Sequence, residues 1–427
     1  MRIAVIGSGI AGLASAWLLA RRHEVVLYEA ESRLGGHTNT VDITVDGVTH
    51  PVDTGFLVFN HRTYPNLRAL FRHLDVPTAR SEMSFSVRIE SLDLEWAGNS
   101  LATVFAQKSN LLRREFWSML ADILRFNREA QAVACGQSEF GALALGEFLD
   151  AGGYGKPFRD WYLLPMAGAI WSCPTRTMLE YPLSTFANFC ANHGLLQVEN
   201  RPPWYTVKGG AREYVKRLAA GIPDIRLGEP VATVASDEKG VRIASRSGVE
   251  RFDAAVMACH SDQTLRLLDS PTADERRVLG AIPYQRNRAL LHTDAALLPR
   301  RKSVWSAWNY SAPRDAMSDR PVGVHYLINK LQPVPFERPV IVSLNPASDP
   351  DPTQVFAEFD YAHPVFDHAA VEAQALLPSI QGRRGLWFAG AWCGYGFHED
   401  GLKSALSVAR GLGVLEPWIT ETADAAA

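Results

Sequence analysis

The chain has 427 residues, of which 47% are hydrophobic and 21% charged, and its formal net charge is −3. This length suits two or three domains of about 100–200 residues each, and the near-neutral balance excludes a global basic field for nucleic acid. Five cysteines (Cys135, Cys173, Cys190, Cys259 and Cys393) without a C-x-x-C pair give neither a disulfide framework nor a zinc site, so reduced thiols and no metal are expected. The opening MRIAVIGSG lacks the charged and apolar regions of a leader, and no run of 18 apolar residues follows. A cytoplasmic chain without a spanning helix is expected.

RIAVIGSGIAGLASAWLLA (2–20) predicts a buried strand, a tight glycine turn and a helix. Gly7, Gly9 and Gly12 fit G-x-G-x-x-G. The first permits the turn, the second admits backbone to a pyrophosphate, and the third lets helix and strand pack closely. The helix start then offers free N–H groups and a positive dipole end to phosphate. A second strand, EVVLYEA (24–30), brings Glu29 to a point 22 residues after Gly7, where a carboxylate accepts from an adenosine ribose. A carboxylate there repels a 2′-phosphate, which disfavours NADP and leaves NAD and FAD. No second G-x-G-x-x-G occurs, so one dinucleotide is expected.

ESRLGGHTNT (31–40) sets Arg33, Gly35 and Gly36 directly after the second strand. With this R-x-G-G added to the glycine turn, the chain resembles the flavin-containing amine oxidoreductase superfamily, which includes monoamine oxidases, protoporphyrinogen oxidase and phytoene-type desaturases. The resemblance implies an α/β fold: a discontinuous Rossmann-like FAD-binding domain of the GR2 type, with an inserted α+β substrate domain on a mixed sheet. It implies that Arg33 neutralises phosphate, that Gly35 and Gly36 pass beside the ribityl chain, and that Ala11, Ala30, His37 and Thr38 lie along the cofactor. In DTGFLVFN (53–60), Thr54, Gly55 and Phe56 would run beside the ring.

Residues 61–204 read as mostly helical, with amphipathic runs at 64–74 and 111–134. In the latter, Leu112, Phe116, Leu120, Ile123 and Leu124 stand at helical spacing, as in a core-facing helix or, alternatively, a lid or a peripheral membrane contact. YTVKGGAREYVKRLA (205–219) resembles the family's V-x-G-G segment. IRLGEPVATVA (225–235) resembles the strand whose Val231 backbone meets the adenine, and 251–268 the return to the nucleotide fold. Strands are expected in NRALLHTDA, SVWSAWNY, VGVHYLINKL, PVIVSLNP and QVFAEFDY.

Near the C-terminus, FAGAWCGYGFHEDG (388–401) is followed by a predicted helix over 400–412. By the resemblance, Gly390 and Ala391 border the cofactor, and N–H groups around Gly401 and Leu402 point at the flavin pyrimidine. Trp392, Tyr395 and Phe397 would wall a substrate pocket. The family's acid after F-A-G is Ala391 here, and its flavin-side lysine has no counterpart in 284–294. His398 occupies the place of an aromatic cage residue, and a histidine can donate, accept or carry charge near neutral pH. It is the candidate catalytic or substrate-orienting residue. The family's covalent cysteine precedes F-A-G, where this chain has none, so noncovalent FAD is expected.

These features imply an FAD-binding domain from 1–60, 205–280 and 380–415, a substrate domain from 61–204 and 281–379, and a tail over 416–427, disordered at TETADAAA. The expected function is an FAD-dependent oxidoreductase of the amine-oxidase type, taking a hydride equivalent from a C–N or C–C bond of a small or lipid-like substrate. GGHTNT and GYGFHEDGL resemble a bacterial subgroup of predicted NAD/FAD-binding oxidoreductases. Through that likeness, a fatty-acyl or lipid desaturase linked to cyclopropane or methylated fatty acids is the first alternative. A non-catalytic flavin-binding sensor or scaffold is the second, and an NAD dehydrogenase a third. Nothing in the sequence sets the oligomeric state.

Overall fold

The computed structural model describes residues 1–172, 174–197, 201–312 and 322–419. Cys173 and the TETADAAA segment (420–427) lie outside the described residues.

Four short apolar runs and a polar edge strand, Asp224–Arg226, pair into one wholly parallel sheet. Its order is Asp224–Arg226, Glu24–Tyr28, Arg2–Ile6, Ala254–Met257, Leu386–Phe388, with Ile3 in register with both Val25 and Ala254. These runs are apolar rather than alternating because both faces are covered. Ile3, Val5, Val25 and Leu27 join the core containing helix Ile10–Leu19, while Ala4, Ile6, Val26 and Tyr28 join a second core with Phe126, Phe148 and Leu163. A small antiparallel sheet (Val231–Asp237, Gly240–Ser245, Gly248–Phe252) carries the chain back to Ala254.

Helix Ile10–Leu19 packs along the last long helix, His398–Gly411. Two glycines permit the approach. A Cβ on Gly401 would stand 2.8 Å from Ile10 Cγ2, and one on Gly12 would stand 1.8 Å from the Gly7 carbonyl oxygen. Gly7 itself has φ +99°, a turn conformation suited to glycine.

The second sheet has seven strands, in the order Val355–Pro364, Tyr284–His292, Ile341–Leu344, Gly323–Leu327, Trp308–Ala312, Phe85–Ile89, Leu94–Ala97. The first five overlap the runs read as strands from the sequence, three of them running two or three residues past the expected ends. The last two do not: they come from the stretch read as mostly helical. Phe85–Ile89 pairs in parallel with Trp308–Ala312, so 61–204 supplies one edge of this sheet as well as helices such as Arg114–Ala134 and Leu183–Asn192. All four residues of Leu94–Ala97 are buried, Glu95 included, and the strand went unread although Leu92, Leu94 and Trp96 alternate there with Asp93 and Glu95. The expected tail is also shorter than 416–427. Glu416 is buried and paired with Arg410, and Trp418 stacks on Trp17 at 6.5 Å.

Gly12→Ala should lower unfolding free energy by about 2 kcal/mol or more, because the new methyl meets backbone that cannot yield. Urea denaturation of the purified variant measures it; an unchanged midpoint would show that the turn has slack.

Candidate functional site

One cavity of about 1300 Å³ runs from the glycine turn to the second sheet, and both ends of the chain border it. Of the residues singled out by sequence, Gly7, Gly9, Ala11, Glu29, Ala30, Arg33, Gly35, Gly36, His37, Thr54, Gly55, Phe56, Val231, Gly390, Ala391, Trp392, Tyr395, Phe397 and His398 line it. Gly12, Thr38, Gly401 and Leu402 do not.

At the glycine-turn end, the strand-end geometry aims Glu29 back at the turn. Its Oε2 accepts from Ser8 N at 2.8 Å and from Ser8 Oγ at 2.5 Å, and its Oε1 accepts from Glu31 N at 2.9 Å. Oε2 is thereby filled, while Oε1 keeps a lone pair for a further donor. Arg33 Nη1 donates to Gly36 O at 2.9 Å, which anchors the guanidinium while leaving other N–H groups. Gly35 has φ +109°, and a Cβ there would strike Thr38 O at 2.4 Å.

The middle of the cavity holds a cluster that the motifs did not announce. The His37 ring lies 5.0 Å from Tyr361, 5.2 Å from His363 and 5.9 Å from His260, which in turn stacks on Tyr284 at 4.4 Å. All five rings face the cavity. Burial and then the neighbouring histidines hold His37 well below its ordinary pKa, and burial lowers His363 to about 4. These rings are neutral at pH 7. His37 Nε2 is buried without a protein partner. Below them, Asp53 accepts from Ala211 N, Thr40 Oγ1 and Gln332 Nε2, tying the 205–219 segment to this wall. Burial pushes its carboxyl up to about 6.

The C-terminal stretch closes the far side. Asp400 Oδ2 accepts from Tyr395 N and Phe397 N, both at 3.1 Å. Glu399 accepts from Asn66 N and Leu67 N, both at 2.9 Å, capping helix Pro65–His73 from 333 and 332 residues away. Here two expectations fail. Gly401 N donates to Phe397 O at 3.1 Å, so it is not free for a ligand, and Leu402 is fully buried in the core. Gly401 is a packing residue against Ile10. Gly12 is likewise a packing residue, and Thr38 is turned away from the cavity. Its hydroxyl bonds Tyr214 and lies 3.1 Å from His398 Nε2.

His398 itself is on the cavity wall but engaged. Tyr214 Oη lies 2.7 Å from its Nε2, and the ring stacks on Phe56 at 3.8 Å and 11°. Burial lowers its pKa to about 3. A neutral ring with Nε2 accepting from Tyr214 carries its proton on Nδ1. The arrangement provides a fixed flat wall made of Phe56 and His398.

Beyond these residues the cavity becomes aromatic and apolar. Trp392 donates Nε1 to Cys259 O at 3.3 Å, Phe397 stacks on Phe189 at 5.0 Å, and Tyr395 lies 6.0 Å from the same ring. Met83, Phe85, Trp96, Trp308 and Tyr326 continue the lining from the second sheet. Among the described lining residues there is no lysine. The lining acids are Glu29 and Glu31 at the glycine-turn end, Glu229 bonded to Ser247 N, and Glu358 and Asp360, paired with Arg288 and Arg286. Arg201, exposed, stands at the rim beside Pro203. Sequence reasoning missed Phe189, His260, Tyr361 and His363 because each sits in an ordinary helix, turn or strand.

The lining fits a flavin dinucleotide. A Cβ on Gly9 would meet no protein atom within 4 Å, so the space over the turn is open for a ligand. The His37 nitrogen without a partner is the kind of buried polar atom that a ligand satisfies. The volume exceeds the ~300–1,000 Å³ of ordinary ligand pockets, leaving room for a second molecule.

Comparison with known proteins agrees. The profile of the family described as flavin containing amine oxidoreductase matches residues 10–290. A carotenoid phi-ring synthase of Streptomyces griseus is 40% identical over 108 residues, which are 25% of this chain and 19% of that protein. A fatty acid isomerase from P. acnes that produces CLA superposes with TM-score 0.67 at 16% identity, covering 96% of this chain and 98% of that one. Cyclohexylamine oxidase from Brevibacterium oxydans IH-35A gives 0.69 at 15%, covering 96% and 99%. Putrescine oxidase bound to putrescine gives 0.67 at 16%, with the same coverages. At these identities the structural likeness is one of fold.

Because burial depresses the folded-state pKa of His398, its neutral ring contributes fully to stability above about pH 6.5, and that contribution is lost as pH falls toward 3. Histidine-selective NMR should therefore show no His398 titration between about pH 5 and 8. A midpoint near 6.5 would make it an acid–base group after all.

Proposed function

The chain belongs to the flavin containing amine oxidoreductases and is a flavin-dependent oxidoreductase; from this premise we propose that it binds one FAD noncovalently and dehydrogenates a carbon–carbon bond of an apolar, lipid-like substrate, a hydride equivalent leaving one carbon and a proton the next. The observation that carries the substrate class is the aromatic lobe, whose described lining has no lysine and no unpaired acid. A protonated amine entering it would find no carboxylate and would pass the Arg201 cation at the rim. An acyl chain would find ring surface, and its carboxylate a charge partner.

The bound flavin would supply the two-electron chemistry. Glu29 would accept from the ribose, while Arg33 and the N-terminus of helix Ile10–Leu19 would face the pyrophosphate. His37 Nε2 would meet a polar edge of the ring system. Val231, Gly390 and Ala391 would border the cofactor through backbone. Trp392, Tyr395 and Phe397 would exclude water and hold the chain flat. His398 would be an orienting residue: pinned by Tyr214, it fixes Phe56 as one wall. Cys393 is only partly exposed, and desolvation raises its pKa, which suits an unreactive thiol rather than a flavin attachment point. In this reading the parallel-sheet portion holds the cofactor and the seven-stranded sheet the substrate.

Amine oxidation is the rival, favoured by the aromatic wall near the C-terminal loop. Anaerobic mixing separates the two. Long-chain acyl or polyene lipids should bleach the bound flavin and amines should not; bleaching by amines alone would overturn the substrate class. His398→Ala should keep FAD but slow this bleaching by about tenfold or more, and an unchanged rate would remove its orienting role. Glu29→Ala and Arg33→Ala should each weaken FAD retention by about tenfold or more, as measured by flavin content after gel filtration. Full occupancy in both would contradict their assignment.

A further inference from the structure

Five large apolar side chains stand in water within residues 101–124: Leu101 at 78% exposure, Leu111 at 44%, Leu112 at 88%, Trp117 at 50% and Leu124 at 61%. Single exposed apolar residues are ordinary, whereas a cluster marks an interaction surface. Helix Arg114–Ala134 already buries one face through Phe116, Met119, Phe126, Ala130 and Val133. Trp117, Ala121 and Leu124 form a second stripe on its outer side, at i, i+4 and i+7, and Arg114 and Arg128 continue it at either end.

The surface is continuous. Trp117 Nε1 donates to Leu111 O at 3.0 Å, and its ring lies 5.2 Å from Phe105, which follows the turn at Leu101–Val104. Inward, Phe105 meets Phe116 at 5.8 Å, Phe116 meets Trp96 at 6.3 Å, and Trp96 meets Tyr162 at 6.0 Å. Trp96 and Tyr162 line the cavity, as does Gly98, an exposed residue three positions before Leu101. The outer patch and the cavity wall are thus two sides of one aromatic stack.

Charge selects the partner. Lys108, Arg114 and Arg128 are exposed around the patch and make no ion pair among the described residues, while the chain as a whole carries −3. Glu115 is the exposed acid beside them. Apolar tips and a tryptophan ringed by unpaired cations match an anionic lipid surface, where the apolar groups enter the acyl boundary and the cations meet phosphates. We propose that this surface docks the protein on an anionic bilayer, with Leu112, Trp117 and Leu124 inserted, and brings the Gly98 side of the cavity to the lipid. This deepens the reading of a lipid-like substrate, yet its test does not depend on turnover.

The test is flotation of the flavin-loaded full chain with vesicles of phosphatidylcholine, alone or mixed with phosphatidylglycerol. The protein should float with the mixed vesicles, less so in high salt, and weakly with phosphatidylcholine alone. L112E/L124E should lower partition by about tenfold or more, with flavin content and melting temperature retained. The control pair L227E/V249E, exposed elsewhere on the chain, should float like the parent. Failure of the parent to float, or full flotation of L112E/L124E, would overturn the proposal. So would a dimer abolished by L112E/L124E without vesicle binding, because the patch would then be covered by a second copy. Docking combined with bleaching by amines alone would instead leave this surface standing and remove the lipid-substrate reading.

Discussion

Everything in the site depends on the close approach of the first helix to the last. Ile10 and Gly401 are nearly 400 positions apart, and a single methyl on the glycine would separate them. The parallel sheet enforces the same closure, because Arg2–Ile6 lies one strand away from Leu386–Phe388, with Ala254–Met257 between them. Bringing such distant segments together costs chain entropy that grows only slowly with loop length. The two apolar cores on either side of the sheet offset it. The result is a cavity with the glycine turn on one side and the FAGAWCGYGF loop on the other.

Within that frame the polar groups are arranged to hold shape. Glu399 and Asp400, adjacent in sequence, spend their oxygens on backbone N–H groups of the 65–67 helix start and of the 395–397 loop. Asp53 does the same for the start of the 212–219 helix through Ala211. Buried carboxylates of this kind are expensive unless satisfied, so each fixes one local geometry. The histidines follow the opposite logic: deprived of water, they stay neutral, His260 even with Asp262 nearby. A wall of neutral rings suits an apolar substrate and leaves charge control to the cofactor end, where Glu29 and Arg33 sit.

Much of this was legible in the sequence. The G-x-G-x-x-G turn, Glu29 and the R-x-G-G segment are local, and local backbone demands leave a local record. The strands of the second sheet between 284 and 364 were also readable from their β-branched and aromatic runs. Less was visible where function depends on distance. Leu94–Ala97 is only four residues long and lies in a stretch read as helical, so the brief alternation of Leu92, Leu94 and Trp96 with Asp93 and Glu95 did not stand out. The His37, His260 and His363 cluster comes from three separate turns and strands, with no spacing to betray it. Gly401 was read as a ligand-facing position because its motif lies beside the flavin in relatives, yet here the backbone N–H is consumed by Phe397 O.

The most direct test of the closure around one flavin is calorimetric titration of the flavin-stripped chain with FAD, comparing the parent with Gly9→Val. The Cβ of the new side chain would meet no protein atom within 4 Å beyond its chain neighbours and would point into the space over the turn, so the variant should melt close to the parent. The parent should take up one FAD per chain, and the variant none. Equal FAD binding by both, or heat with NADH and none with FAD, would contradict the account.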